Sequence, residues 1–162
     1  MNILITGGAG YIGSNTAYKF LDDGHQVTII DNLSTGNKKL IPKESKFYKL
    51  DISSNKVEKI LKENAFDVVV HFAAFISVEE SEKNPNKYFY NNYTKTVNFF
   101  KLCAKNNISN IIFSSTAAVY GDRLLHSVSE NKKLKPTNPY AESKKKVEDY
   151  LKKQKKINYI IL

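Results

Sequence analysis

The chain has 162 residues, 41 % of them hydrophobic and 12 % aromatic, and a formal net charge of +9. That length supports one domain with one core, and the apolar content excludes wholesale disorder. No apolar run is long enough for a membrane span, and the single cysteine, Cys103, excludes an intrachain disulfide or a zinc site built on several thiolates.

The positive charge is carried by lysine. Of 25 basic residues only Arg123 is arginine, whereas nucleic-acid readers favour arginine forks. The densest lysines, 144–146 and 152–156, fall on or beside an expected helix and read as its solvated face, so no nucleic-acid partner is expected. Met1 leads directly into an apolar run without the basic and small-residue pattern of a secretory signal, and the cytoplasm is the expected location.

In chain order, residues 2–6 read as a buried strand ended by glycines, and 11–23 as a helix stopped at Gly24. Residues 26–30 form a second strand ending on Asp31, 32–43 a loop, and 45–50 a weaker strand ending on Asp51. Residues 55–64 are amphipathic, with Val57, Ile60 and Leu61 on one stripe. A buried strand over 67–72 precedes one long helix over 85–106, where Phe89, Tyr93, Val97 and Phe100 recur at helical spacing. A strand lies in 110–115, and 119–139 is mostly loop. Asn138 and Pro139 then start a helix through about residue 154, and 158–162 begin a sixth strand. This alternation predicts an α/β fold: a Rossmann-like, doubly wound parallel sheet of about six strands, with a ligand across the carboxyl ends of the strands.

Three groups of residues carry chemistry. Gly7, Gly10 and Gly13 sit between the first strand and helix, where missing side chains let the backbone approach a phosphate and the helix start supplies amide donors. Asp31, ending the second strand, suits ribose hydroxyls and repels a 2′-phosphate, which points to NAD over NADP. Asp51 and Ile52 end the third strand, where an adenine edge would lie. Tyr140 and Lys144 form a Tyr-x-x-x-Lys pair one turn apart on a helix, a spacing at which an ammonium favours the phenolate. Thr116 follows the fifth strand at the same sheet edge. No metal site is expected.

Taken in order, Thr6-Gly-Gly-Ala-Gly-Tyr-Ile-Gly-Ser14, Asp31-Asn-Leu-Ser34, Val70-His-Phe-Ala-Ala74, Val78-Glu-Glu-Ser81, Asn91-Asn92, Phe113-Ser-Ser-Thr-Ala-Ala-Val-Tyr-Gly121 and Asn138-Pro-Tyr-Ala-Glu-Ser-Lys144 resemble the extended short-chain dehydrogenase/reductase family, in its UDP-hexose 4-epimerase branch. The resemblance implies that Thr116, Tyr140 and Lys144 are catalytic. It implies NAD contacts from Tyr11, Ile12, Asp31, Asn32, Leu33, Ser34, Thr35, Gly36, Asp51, Ile52, Phe72, Ala73, Ala74, Phe75, Ile76 and Asn91, with Tyr140 and Lys144 touching the cofactor as well. The implied reaction is epimerisation at C4 of a UDP-hexose through a 4-keto intermediate. Relatives that eliminate water or carbon dioxide carry acids just after the threonine, where this chain has Ala117 and Ala118.

The chain departs from the family in two places, with Ile76 where some epimerases have lysine and Lys95 where glycine is usual. The family also continues into a substrate domain, so the expectation is a cofactor domain over 1–162 with little of the UDP-sugar cradle and little turnover alone. Two alternatives stay open: a non-catalytic NAD-binding fragment, or another NAD-dependent sugar-nucleotide oxidoreductase. A homodimer through the 85–106 and 140–154 helices is a further expectation, with the 85–106 apolar stripe as a sticky face.

Overall fold

The first apolar run forms β1 (Asn2–Thr6), and the glycine-rich turn after it delivers the chain into α1 (Tyr11–Asp22). This is a computed structural model and describes residues 1–121 and 127–162; residues 122–126 of the loop expected over 119–139, Arg123 among them, lie outside the described residues. Gly24, with φ of 81°, ends α1 without strain and turns the chain into β2 (Gln26–Asp31). Then follow β3 (Lys46–Lys49), α2 (Lys56–Glu63) and β4 (Val68–His71), each a residue or two shorter than the sequence pattern implies. β5 (Asn110–Phe113), α6 (Pro139–Lys152) and β6 (Asn158–Ile161) complete the described residues.

The six strands are all parallel, in the order β3-β2-β1-β4-β5-β6. The order reverses between β1 and β4, and in such sheets the crevice at the carboxyl ends of the strands at that point takes the ligand. Strand periodicity divides the core. Leu4, Ile30, Val69, Ile111 and Phe113 face one way, against Val57, Leu61, Phe99, Phe100, Val147 and Leu151 from the helices. Ile3, Ile5, Val27, Ile29 and Val70 face the other way, against Ala17, Phe20 and Leu21 of α1. That second layer stops short of the sheet edge, where Ile160, paired with Ile112, is 56 % exposed. No helix among the described residues is long and apolar enough to cross a membrane.

The 85–106 segment corrects the sequence reading. It is three pieces: α4 (Pro85–Tyr88), a π-helix (Phe89–Lys95) and α5 (Thr96–Lys105). The wider π turn takes up an extra residue, a feature frequent at functional sites. Of the expected sticky stripe, Val97 and Phe100 are 7 % and 0 % exposed and pack on the chain's own sheet, while Phe89 and Tyr93 are half-buried. A short helix, α3 (Val78–Lys83), was not expected; Ser77 caps it by accepting from the Glu80 amide at 3.1 Å. A 3-10 turn also occupies Ala117–Tyr120 at the start of the expected loop.

Candidate active site

A groove of about 540 Å³ runs across the carboxyl ends of the strands. Every residue expected to be catalytic or to contact the cofactor lines it except Leu33. Leu33 takes a φ of 60° and contributes its amide, which donates to Asp31 Oδ1 at 2.7 Å. Ser114 and Ser115 join the lining beside Thr116.

One wall is backbone. Gly7 has φ of 75°, and a Cβ there would lie 2.6 Å from the Ala73 nitrogen in the segment after β4. A Cβ on Gly13 would lie 2.3 Å from the Gly7 carbonyl oxygen, so α1 can sit this close to β1 only without that atom. Gly10 caps α1 with no side-chain hydrogen bond. The first-turn amides have no intrahelical acceptor and carry the positive end of the helix dipole, which suits a pyrophosphate. Asp31 ends β2, 9 % exposed, with Oδ2 accepting from the Ala9 amide at 3.0 Å. One amide on each oxygen leaves further lone pairs for a diol. Asp51 lies at the same end of the groove; partial burial acts to raise its pKa, but the Lys95 ammonium at 2.8 Å and the Ser53 donors hold it down at about 2.

The other wall is built from buried polar side chains. Asn92, on the π-helix, clamps Phe75 in the segment after β4: its Oδ1 accepts from the Phe75 amide and its Nδ2 donates to the Phe75 carbonyl, each at 2.9 Å. The same Nδ2 reaches Ser143 on α6 at 3.3 Å. His71, at the end of β4, is fully buried between Thr6 Oγ1 at 2.7 Å and Thr96 Oγ1 at 3.0 Å. Burial, with the nearby Lys144 charge adding to it, lowers the His71 pKa to about 3, so the ring is neutral at physiological pH.

The α6 helix presents the expected pair. Asn138 accepts from the Ala141 amide at 2.9 Å, which sets the helix start and places Tyr140 in the first turn, half-buried at the groove. Lys144, 3 % exposed, donates to the Ser114 carbonyl at 2.8 Å and lies 4.9 Å above the Phe113 ring centroid. Burial pushes its pKa down to about 8, so it is mostly ammonium at pH 7. One turn further on, the buried Glu148 accepts from the Ser115 hydroxyl. Lys144 and Glu148 thus hold Ser114 and Ser115 to α6. Thr116 follows at once, its Oγ1 accepting from the Ala118 amide at 3.2 Å at the groove edge.

Four features of this site were not read from the sequence: the Asn92 clamp, the buried His71, the Glu148–Ser115 contact and the Lys95–Asp51 pair. The spacing Ser77-Val-Glu-Glu80 was a readable helix start. The others join residues from 17 to 65 positions apart and left no local pattern.

The glycine cradle, the carboxylate at the end of β2 and the open helix start fit a dinucleotide, and Tyr140 with Lys144 fits an acid/base beside it. Comparison with known proteins agrees on the dinucleotide. Residues 3–162 match the NAD dependent epimerase/dehydratase family. A UDP-glucose 4-epimerase of Corynebacterium glutamicum is 41 % identical over 144 residues, covering 89 % of this chain and 44 % of that protein. UDP-arabinose 4-epimerase 1 of Arabidopsis thaliana is 40 % identical over 160 residues, covering 93 % and 38 %. The chain therefore spans less than half the length of these curated relatives. Among solved structures, the UDP-Glc/GlcNAc 4-epimerase of Campylobacter jejuni superposes with a TM-score of 0.93 at 40 % identity, over 99 % of this chain and 52 % of that one. The UDP-glucose 4-epimerase of Thermus thermophilus, a complex with NAD, gives 0.94 at 32 % identity, over 99 % and 54 %. With the family match running across nearly its whole length, on the fold and groove described above, this chain belongs to the NAD dependent epimerase/dehydratase family.

Proposed function

We propose that this chain holds NAD in the groove and carries the acid/base residues for epimerisation at C4 of a UDP-hexose. The observation that supports it most is the meeting, in one groove, of the Gly7–Gly13 cradle and Asp31 with Thr116, Tyr140 and Lys144. Gly7, Gly10, Gly13 and the α1 amides would hold the pyrophosphate, and Asp31 the adenosine ribose. NAD, when bound, supplies the acceptor and then the donor for the C4 hydride. Tyr140, as phenolate, takes the proton from the sugar 4-hydroxyl and returns it after the 4-keto sugar has turned over. Lys144 favours that phenolate by its charge, and Thr116 orients the reacting oxygen. Ala117 and Ala118 offer no further acid for an elimination, which favours epimerisation over dehydration. The UDP-sugar class comes from the names of the relatives. The same reading carries a cytoplasmic role in galactose metabolism. It also carries a homodimer on the outer faces of the π-helix and α6, where Tyr90 is 60 % exposed.

The deciding experiment is to titrate the protein with NAD and NADP by calorimetry, then to assay it with UDP-galactose and NAD. NAD should bind more tightly than NADP, because the Asp31 carboxylate faces the site of the 2′-phosphate. In a full-length context, where the substrate cradle is complete, conversion to UDP-glucose should fall at least about 100-fold in Tyr140→Phe, with NAD affinity retained. Tighter NADP binding refutes the cofactor assignment. NAD binding without sugar exchange favours a cofactor-binding fragment, and steady NADH production favours a net oxidoreductase.

A further inference from the structure

Asp51 stands where an adenine edge would lie, and a carboxylate there has an obvious use in accepting from the adenine 6-amino group. Its surroundings argue otherwise. A carboxylate has about four acceptor positions, two on each oxygen. In this chain all four are filled from within. Oδ1 accepts from the Ser53 amide at 2.9 Å and the Ser53 hydroxyl at 2.6 Å. Oδ2 accepts from Asn32 Nδ2 at 3.1 Å and Lys95 Nζ at 2.8 Å. The Asn32 amide is itself fixed, since its Oδ1 accepts from the Ser34 amide at 2.9 Å. Lys95 is well anchored: its side chain is only 17 % exposed, and Nζ lies 5.5 Å from the Tyr90 ring centroid. The low Asp51 pKa fits a carboxylate already satisfied.

We propose that Lys95 is a specificity-determining residue: by completing the shell of donors around Asp51 it withdraws that carboxylate from adenine recognition, so the 6-amino group adds little to cofactor affinity. Asp51 then serves as a positioning residue. It ties the loop after β2, through Asn32, to the end of β3 and to the π-helix. The adenine ring is held by the shape of the groove, including Leu50 and Ile52, rather than by its amino group.

This inference rests on the dinucleotide reading and is tested by binding, not turnover. The probes are NAD and the NAD analogue with unsubstituted purine in place of adenine, which deletes only the amino group. Calorimetry on the wild-type chain should give affinities within about threefold of each other. Lys95→Met keeps the side-chain stem but frees one acceptor position on Oδ2. It should raise the preference for NAD to about tenfold, the worth of one hydrogen bond to a charged group. Lys95→Arg, which keeps a cationic donor, should behave as wild type. Asn32→Ala opens the same oxygen from the other side and should also raise the preference, so the inference stays testable should Lys95→Met fold poorly. A wild-type preference for NAD of tenfold or more, or a ratio unchanged in both Lys95→Met and Asn32→Ala, overturns it. If the wild type binds neither dinucleotide, the cofactor reading fails first and this inference falls with it.

Discussion

The two walls of the groove are made by opposite means. The β1–α1–β2 wall is defined by missing atoms: Gly7 and Gly13 leave room for backbone to touch backbone, and apart from the Asp31 carboxylate the ligand-facing groups are peptide amides. The β4–β5–α6 wall is defined by buried polar side chains, His71, Asn92, Lys144 and Glu148, each placed by hydrogen bonds. The first wall should therefore be intolerant of added volume and indifferent to pH. The second should tolerate changes of volume better and respond to protonation. Three experiments can break or sharpen that contrast.

The largest effect is expected at Gly13. The added Cβ in Gly13→Ala would lie 2.3 Å from the Gly7 oxygen and 2.9 Å from the Gly8 Cα. Both are backbone atoms, so no side chain can rotate away and α1 must move off β1. The expected loss is about 3 kcal/mol or more, the upper end of overpacking costs, with loss of NAD binding. Gly24→Ala is the control. Its Cβ would meet nothing within 4 Å and only the φ of 81° penalises it, by about 1 kcal/mol. Urea denaturation of both variants decides the matter, and equal losses would mean that close approach does not govern this wall.

The second effect belongs to His71. Its folded pKa of about 3 lies below the ordinary value of 6.5. As pH falls through that window the unfolded chain takes up a proton that the folded chain refuses. The stability contributed by the neutral ring is thus complete above about pH 6.5 and is lost progressively toward pH 3. The limiting slope is about 1.4 kcal/mol per pH unit, so roughly 2 kcal/mol should be gone by pH 5. Urea midpoints at pH 7.5, 6 and 5 measure it. A flat profile would mean that the ring accepts a proton in place, and that the second wall is no more pH-sensitive than the first.

The sequence made the first wall legible and the second only partly so, for a physical reason. Glycines in a strand-to-helix turn and an acid ending the next strand are local signals, as is Tyr-x-x-x-Lys on one helix face. The sheet followed from apolar periodicity. Hydrogen bonds between distant residues leave no such trace. His71 read as one more residue of a buried strand, although Thr6 and Thr96 hold it from β1 and α5. The π-helix was hidden because Phe89, Tyr93, Val97 and Phe100 keep an acceptable helical spacing across it. What the widened turn accompanies is Asn92 reaching Phe75, a tertiary demand on the helix. Lys95 read only as a departure from the family's glycine, because its partner Asp51 lies 44 positions away.

The smallest effect has the least expected sign. Lys144 is buried, and its folded pKa of about 8 lies below the ordinary 10.5. At pH 7 both folded and unfolded chains carry the ammonium, so folding bears the cost of taking a charge out of water, about 3 kcal/mol from the shift. Against this stands the bond to the Ser114 carbonyl, a charged hydrogen bond of about 1.5–3 kcal/mol. Lys144→Met keeps most of the stem, removes both terms and should come out about 1 kcal/mol more stable at pH 7, while losing catalysis. The advantage should shrink as pH rises from 8 toward 10.5. There the folded wild type sheds its proton while the unfolded chain still holds one, and wild-type stability climbs. Urea midpoints of both proteins at pH 7 and 9 test the sign. A Met variant clearly less stable than wild type at pH 7 would make the buried ammonium a net support of the fold. The second wall would then owe its cation to stability as well as to chemistry, and the contrast between the walls would rest on His71 alone.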